Sequence, residues 1–99
     1  MKLWVDDVRP APEGYEWLRS VGDAVIAICH VEKRGIPIDI IDLDHDAGDY
    51  YPYGGDYIKL LEWFEQTGRN YPIRIHSMNP VGRDNMRAII RKNGWIEVR

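Results

Sequence analysis

Apolar positions in this chain gather into short strand-like runs that alternate with stretches of helical spacing. Lys2-Leu3-Trp4-Val5 is the first run, and it ends in the acid pair Asp6-Asp7. Residues 8–14 carry two prolines and a glycine and read as loop. Tyr15-Glu16-Trp17-Leu18-Arg19 is rich in aromatics and suits a second strand. Ser20 and Asp23 have capping spacing, and Val21, Ala24, Val25, Ile28 and Val31 follow on one helical face until Gly35 and Pro37. Ile38-Asp39-Ile40-Ile41-Asp42-Leu43 then reads as a buried strand that delivers Asp44-His45-Asp46 to its end. A loop is expected over residues 46–55, with Tyr50, Tyr51 and Tyr53 around Pro52. Residues 56–67 predict a second helix with Ile58, Leu61 and Phe64 inward and Gly68 at its end. Pro72-Ile73-Arg74-Ile75 is a fourth strand that runs into His76-Ser77. Asn79-Pro80 starts a third helix with Met86, Ile89 and Ile90 as its apolar side, closed by Asn93-Gly94. Trp95-Ile96-Glu97-Val98 is a fifth strand.

Joint lengths set the directions. Strand–helix–strand units joined by so few residues form parallel, right-handed crossovers, so the second to fifth strands are parallel. Between the first two strands there is no helix. Extended chain at ~3.3 Å per residue lets residues 8–14 run back along one strand length, which makes the first strand parallel as well. Asp6, Asp7, Asp44, His45, Asp46, His76 and Ser77 then share the carboxyl edge of the sheet, where open α/β sheets bind ligands.

Composition narrows the class. Ninety-nine residues, 44% hydrophobic and 29% charged, fit one globular domain over residues 1–99. No apolar run approaches the ~20 residues of a membrane span, and Met1 leads directly into a strand, so neither membrane anchor nor signal peptide is expected. A lone Cys29 excludes an internal disulfide and a cysteine-based zinc site and fits a cytoplasmic protein; its helical position predicts a buried thiol. Charge is uneven: residues 1–68 hold 6 Lys/Arg against 14 Asp/Glu, and residues 69–99 hold 7 against 2. An acidic centre beside a basic flank suits a cation together with an anionic substrate.

Each candidate group also has a bland role open to it. Asp6, Asp7 and Asp44 make a hard oxygen site suited to Mg²⁺ or Mn²⁺, although Asp6-Asp7 could equally cap a loop. Asp46 is a further ligand or an orienting group, and Asp42, on the face of Asp44, suits scaffolding. His45 and His76 follow different strands and could work as an acid and base pair. Ser77 and the amides after Asn79 offer donors to a phosphate oxygen, or serve local capping. Arg83, Arg87 and Arg91 form one helical stripe, either solvated or, at Arg83, aimed at a phosphate, and Arg9 has the same option. Tyr50, Tyr51 and Tyr53 either pack on one another or stack on a nucleobase.

Asp6-Asp7, the acid ending the third strand, and Ser77 after the fourth resemble the receiver domains of two-component signalling. That resemblance implies Mg²⁺ on the acid pair and a phosphoryl group on Asp44. The chain departs from the receiver pattern in lacking the helix after the first strand and a lysine after the fifth. Leu3-Trp4-Val5-Asp6-Asp7-Val8-Arg9-Pro10, Leu43-Asp44-His45-Asp46 and Ile75-His76-Ser77-Met78-Asn79-Pro80-Val81-Gly82-Arg83 more closely resemble the receiver-like cyclic-phosphate processing domains. The implied fold is a small receiver-like (flavodoxin-like) three-layer α/β sandwich. Its sheet would be five-stranded and mainly parallel, in the order 2-1-3-4-5, with the first helix missing. The implied activity is metal-assisted phosphoester chemistry on cyclic phosphate ends of RNA or nucleotides. In it, Asp6, Asp7 and Asp44 hold Mg²⁺ or Mn²⁺, Asp44, His45, Asp46 and His76 are catalytic, and Ser77, Arg9, Arg83 and Asn79 bind phosphate. A degenerate receiver, acting as phosphoacceptor or interaction module, is the alternative.

Overall fold

The computed structural model describes residues 1–99. Four short strands, β1 (Lys2–Val5), β2 (Tyr15–Leu18), β3 (Ile40–Leu43) and β4 (Ile73–Ile75), form one sheet in the order β2-β1-β3-β4. Every neighbouring pair is parallel, β1 with β2 included. The helices are α1 (Val21–Lys33), α2 (Ile58–Thr67) and α3 (Pro80–Asn93), and a 3₁₀ helix spans Gly48–Tyr53 inside the predicted loop. Local chemistry starts two of them: the Ser20 hydroxyl accepts from the Asp23 amide at 3.0 Å, and the Asn79 side chain accepts from the Gly82 amide at 3.0 Å. By contrast, α2 has no side-chain cap and starts two residues later than its pattern suggests, because Asp56 turns its carboxylate back to the Ala47 amide at 3.0 Å.

Register explains the core. Leu3 lies opposite Ile41, Val5 opposite Leu43, and Ile41 opposite Ile73, so these residues share one face of the sheet. They form a single buried cluster with Val21, Ala24, Ile28 and Val31 of α1, Leu60, Leu61 and Phe64 of α2, and Met86 and Ile90 of α3. All three helices therefore cover the same face, and the fold has two layers where a three-layer sandwich was expected. The reason is handedness: successive right-handed crossovers that all step the same way across a sheet put their helices on one side. Residues 8–14 cover part of the other face. There Trp17, Trp4, Asp42 and Arg74 make one row across the four strands. The Trp4 indole donates to the Arg9 carbonyl at 2.9 Å and the Trp17 indole to the Asp6 carbonyl at 2.8 Å, which ties the row to the loop.

The expected fifth strand is reduced to one parallel bridge, Ile73 with Glu97. Ile73 donates to the Ile96 carbonyl at 3.0 Å and accepts from the Val98 amide at 2.7 Å, so the segment does lie beside β4. β4 is only three residues long, and the Glu97 side chain is held by Arg87 at 2.8 Å, which leaves room for a single rung. Cys29 is exposed rather than buried. The buried stripe of α1 passes through Ile28, and the next residue points away from it, with Arg69 Nη2 at 3.7 Å from the sulfur.

Candidate active site

Val5 pairs with Leu18 and Leu43, and Leu43 with Ile75, so the strands end level. Ladder bonds continue one residue further, from the Asp6 amide to Leu18, from Asp44 to Val5 and from His76 to Leu43. Asp6, Asp44 and His76 are thus fixed in one row by backbone alone.

His76 is the most constrained side chain of the edge. Its ring stacks on Trp4, with centroids 3.9 Å apart and planes at 6°. Nδ1 meets Asp42 Oδ1 at 2.6 Å and Nε2 meets Asp6 Oδ2 at 2.8 Å, with only 8% of the side chain exposed. A carboxylate facing each ring nitrogen favours the doubly protonated, imidazolium form of the ring. Burial works against that charge, but the hydrogen bonds to Asp42 and Asp6 and their negative charges outweigh it and raise the pKa above the ordinary histidine value. Asp42, fully buried, also takes Arg74 Nη1 at 3.1 Å. Asp6, also fully buried, accepts the Val8 and Arg9 amides on Oδ1, each at 2.9 Å.

Asp7 and Asp44 have no ionic partner. The Asp7 backbone carbonyl, by contrast, accepts from Arg19 at 2.7 and 3.1 Å. Burial pushes the Asp7 carboxyl up, a backbone N–H pulls it down, and the charges of Asp6, Asp44 and Asp49 add to the upward shift. Gly48, at φ +54°, lies against this group: a Cβ there would stand 2.2 Å from Asp7 Oδ2. Asp44 Oδ1 accepts from the His45 amide at 2.8 Å. One oxygen each from Asp6, Asp7 and Asp44 lies within 4.8 Å of the others. Three hard oxygens at that spacing, two of them on carboxylates without a cationic partner, fit an Mg²⁺ or Mn²⁺ ion.

A second group sits around His45. Its Nδ1 meets Asp46 Oδ1 at 2.7 Å, and Asn79 Nδ2 donates to the same oxygen at 3.3 Å. Gly82, in the first turn of α3, lets the helix close on the imidazole, since a Cβ there would stand 2.4 Å from His45 Cγ. Ser77 is buried, and its hydroxyl accepts from the Asn79 amide at 3.0 Å, which leaves its own proton free to donate. Arg83 Nη1 donates to the Ser77 carbonyl at 3.3 Å, and its Nε is buried with no partner. Arg9 Nη1 reaches the His76 carbonyl at 3.1 Å from the other side.

The candidates of the sequence thus fall into three groups. Asp6, Asp7 and Asp44 converge; His45, Asp46 and Asn79 form a chain; Ser77, Arg9 and Arg83 surround residues 76 and 77. His45 and His76 are not bonded to one another, and His76 has no free nitrogen with which to move a substrate proton. Sequence reasoning named Asp42 only as scaffold and missed Arg74, Trp4, Gly48 and Gly82. Asp42 and Arg74 could be found only through the β3–β4 register, whereas a glycine inside a helical pattern is itself a signal of close approach.

A parallel sheet with an acid pair after its first strand, a further acid after the central one and a buried serine after the next is the arrangement of a receiver-type domain. The family model of the cyclic-phosphate processing receiver domain matches residues 1–92, and the chain belongs to that family. No curated protein and no solved structure matches the chain. No helix is long and apolar enough to cross a membrane.

Proposed function

We propose that the protein is a metal-assisted phosphoesterase that opens cyclic phosphate ends of RNA or nucleotides. The observation that carries this reading is the oxygen triad of Asp6, Asp7 and Asp44, with ligand atoms within 4.8 Å of one another, on a strand edge where Arg83 donates to the Ser77 carbonyl. Asp6, Asp7 and Asp44 would hold Mg²⁺ or Mn²⁺, which when bound neutralises phosphate charge and polarises its oxygens. Arg83 and Arg9 orient the phosphate, and the Ser77 hydroxyl donates to one of its oxygens. His45, fixed through Nδ1 by Asp46, presents Nε2 as the proton carrier. Water adds to phosphorus, the bond to one ribose oxygen breaks, and His45 moves a proton from the water to that oxygen. A monoester results. Asn79 positions Asp46 with one amide N–H and keeps a second for a phosphate oxygen, whereas His76 positions Asp6 and has no free nitrogen for the substrate.

The test is incubation of RNA ending in a 2′,3′-cyclic phosphate with and without Mn²⁺, with Asp44→Asn and His45→Ala alongside. Conversion to a monoester by the wild type with Mn²⁺, and its loss in both variants, is the expected result. An intact end in every reaction, with a stable acyl-phosphate formed on Asp44 by a small phosphodonor, would replace the enzyme with a degenerate receiver.

A further inference from the structure

A cavity of about 460 Å³ opens beside the acidic centre, lined by Ser20, Gly22, Asp23 and Ile26 of the α1 end and by Tyr50 and Tyr53 of the 3₁₀ helix. Nothing in the proposed phosphate chemistry uses it. Its volume is that of a small-molecule site. Ile26 and Tyr53, on different elements, are 69% and 63% exposed, so apolar surface is left uncovered on both sides of the groove. The flat groups continue toward the acids. The Arg19 guanidinium lies over the rings of Trp17 and Tyr50, 4.7 and 4.9 Å from their centroids, while donating to the Asp7 carbonyl. Tyr50 and Tyr53 follow at 6.0 Å.

The connection to the phosphate side is short and stiff. The 3₁₀ helix begins with Gly48 against the Asp7 carboxylate, and at its end the Tyr53 carbonyl packs on Gly22. At ~2.0 Å of rise per residue, its span is roughly 10 Å. That is the scale of one nucleotide. Polarity also selects the occupant. Asp23 lines the groove with a carboxylate that has no hydrogen-bond or ionic partner in the fold, so it repels a phosphate and accepts N–H donors from a neutral ring.

From these observations, and resting on the cyclic-phosphate reading above, we propose that this groove holds the base of the terminal nucleotide whose phosphate lies at the acidic centre. Tyr53 and Ile26 contact the base faces, and Asp23 accepts from its N–H edge. Guanine, with two adjacent N–H donors, is the probe that engages the carboxylate most fully.

Calorimetric titration with guanosine 2′,3′-cyclic phosphate and with methyl riboside 2′,3′-cyclic phosphate, which has no base, tests this in the presence of Mn²⁺, with His45→Ala added to the wild type and to each variant so that no ring is opened during the titration. The wild type is expected to bind the guanosine compound more tightly. Tyr53→Ala should weaken that binding roughly five- to hundredfold, the range of a lost base–aromatic stack, and leave the base-free compound unchanged. Asp44→Asn should weaken both alike. Ile26→Ser gives a second, independent exposed variant. Equal binding of the two compounds by the wild type, unaffected by Tyr53→Ala, would overturn the base site and leave the phosphate reading in place. Binding of neither would overturn both.

Discussion

Replacing His76 by glutamine removes the one cation that touches both Asp6 and Asp42. Truncating one partner of a buried ion pair costs about 3–5 kcal/mol, and the Trp4 stack adds about 0.5–1.5 kcal/mol. Asp42 keeps Arg74 and Asp6 keeps two backbone amides, and glutamine restores one hydrogen bond, so the low end of about 3 kcal/mol applies. Against a total stability of about 5–15 kcal/mol, that is a large fraction. At about 4–8 °C per kcal/mol for a domain of this size, the melting temperature of metal-free protein should fall by roughly 12–24 °C.

The same residue sets a pH signature. A histidine whose folded pKa is raised contributes stability that is fully present below its unfolded value of 6.5 and is lost as pH rises through the folded value. The gap between wild type and His76→Gln should therefore be widest below pH 6.5 and should shrink as pH rises above it. Thermal melts in chelator on both sides of that pH measure it, and imidazole nitrogen shifts would show the doubly protonated ring directly. A variant within about 1 kcal/mol of wild type, or a gap that widens with pH, would refute the buried imidazolium.

Further expectations follow from neighbouring groups. Because burial and adjacent acids disfavour ionised Asp7, Asp7→Asn should raise the melting temperature of metal-free protein and abolish the stabilisation by Mn²⁺, which in wild type should reach about 2.7 kcal/mol at a hundred times Kd. Gly82→Ala puts a methyl into the His45 ring, so cyclic-phosphate opening should fall roughly 10²-fold, the scale of a 1 Å misplacement, with Mn²⁺ stabilisation retained. Tyr57→Phe deletes a 2.6 Å hydrogen bond from a buried phenol to the Arg19 carbonyl and should cost about 1–2 kcal/mol in urea denaturation.

Much of the carboxyl edge was legible because it depends on the chain's local grammar. Short joints after Arg19 and around Gly35 and Pro37 dictate parallel strands, and parallel strands carry whatever follows Val5, Leu43 and Ile75 to one rim. Layering is not legible in that grammar, since it depends on the direction in which successive crossovers step, which no single joint shows. The clamp on His76 was hidden for a related reason. Asp42 meets Arg74 and His76 only through the register of β3 against β4, and a one-residue slip would have turned Asp42 into the core. Pro52 reads as a residue of the expected loop, yet it sits inside the 3₁₀ helix, whose φ range its ring already matches.

Charge pairing divides the edge into a closed half and an open half. Asp6 and Asp42 are matched by the His76 imidazolium and Arg74, all linked by hydrogen bonds, and Trp4 fixes the ring from one face. That half is electrically balanced and geometrically fixed. Asp7 and Asp44 have no cationic partner, and Arg83 Nε has no acceptor. Two uncompensated carboxylates correspond to the charge of one divalent cation, and a buried guanidinium donor without an acceptor corresponds to one oxyanion. The closed half holds Asp6 at the edge of the open one without adding to its charge. A divalent ion and a phosphate, the guests of the proposed function, would complement this arrangement.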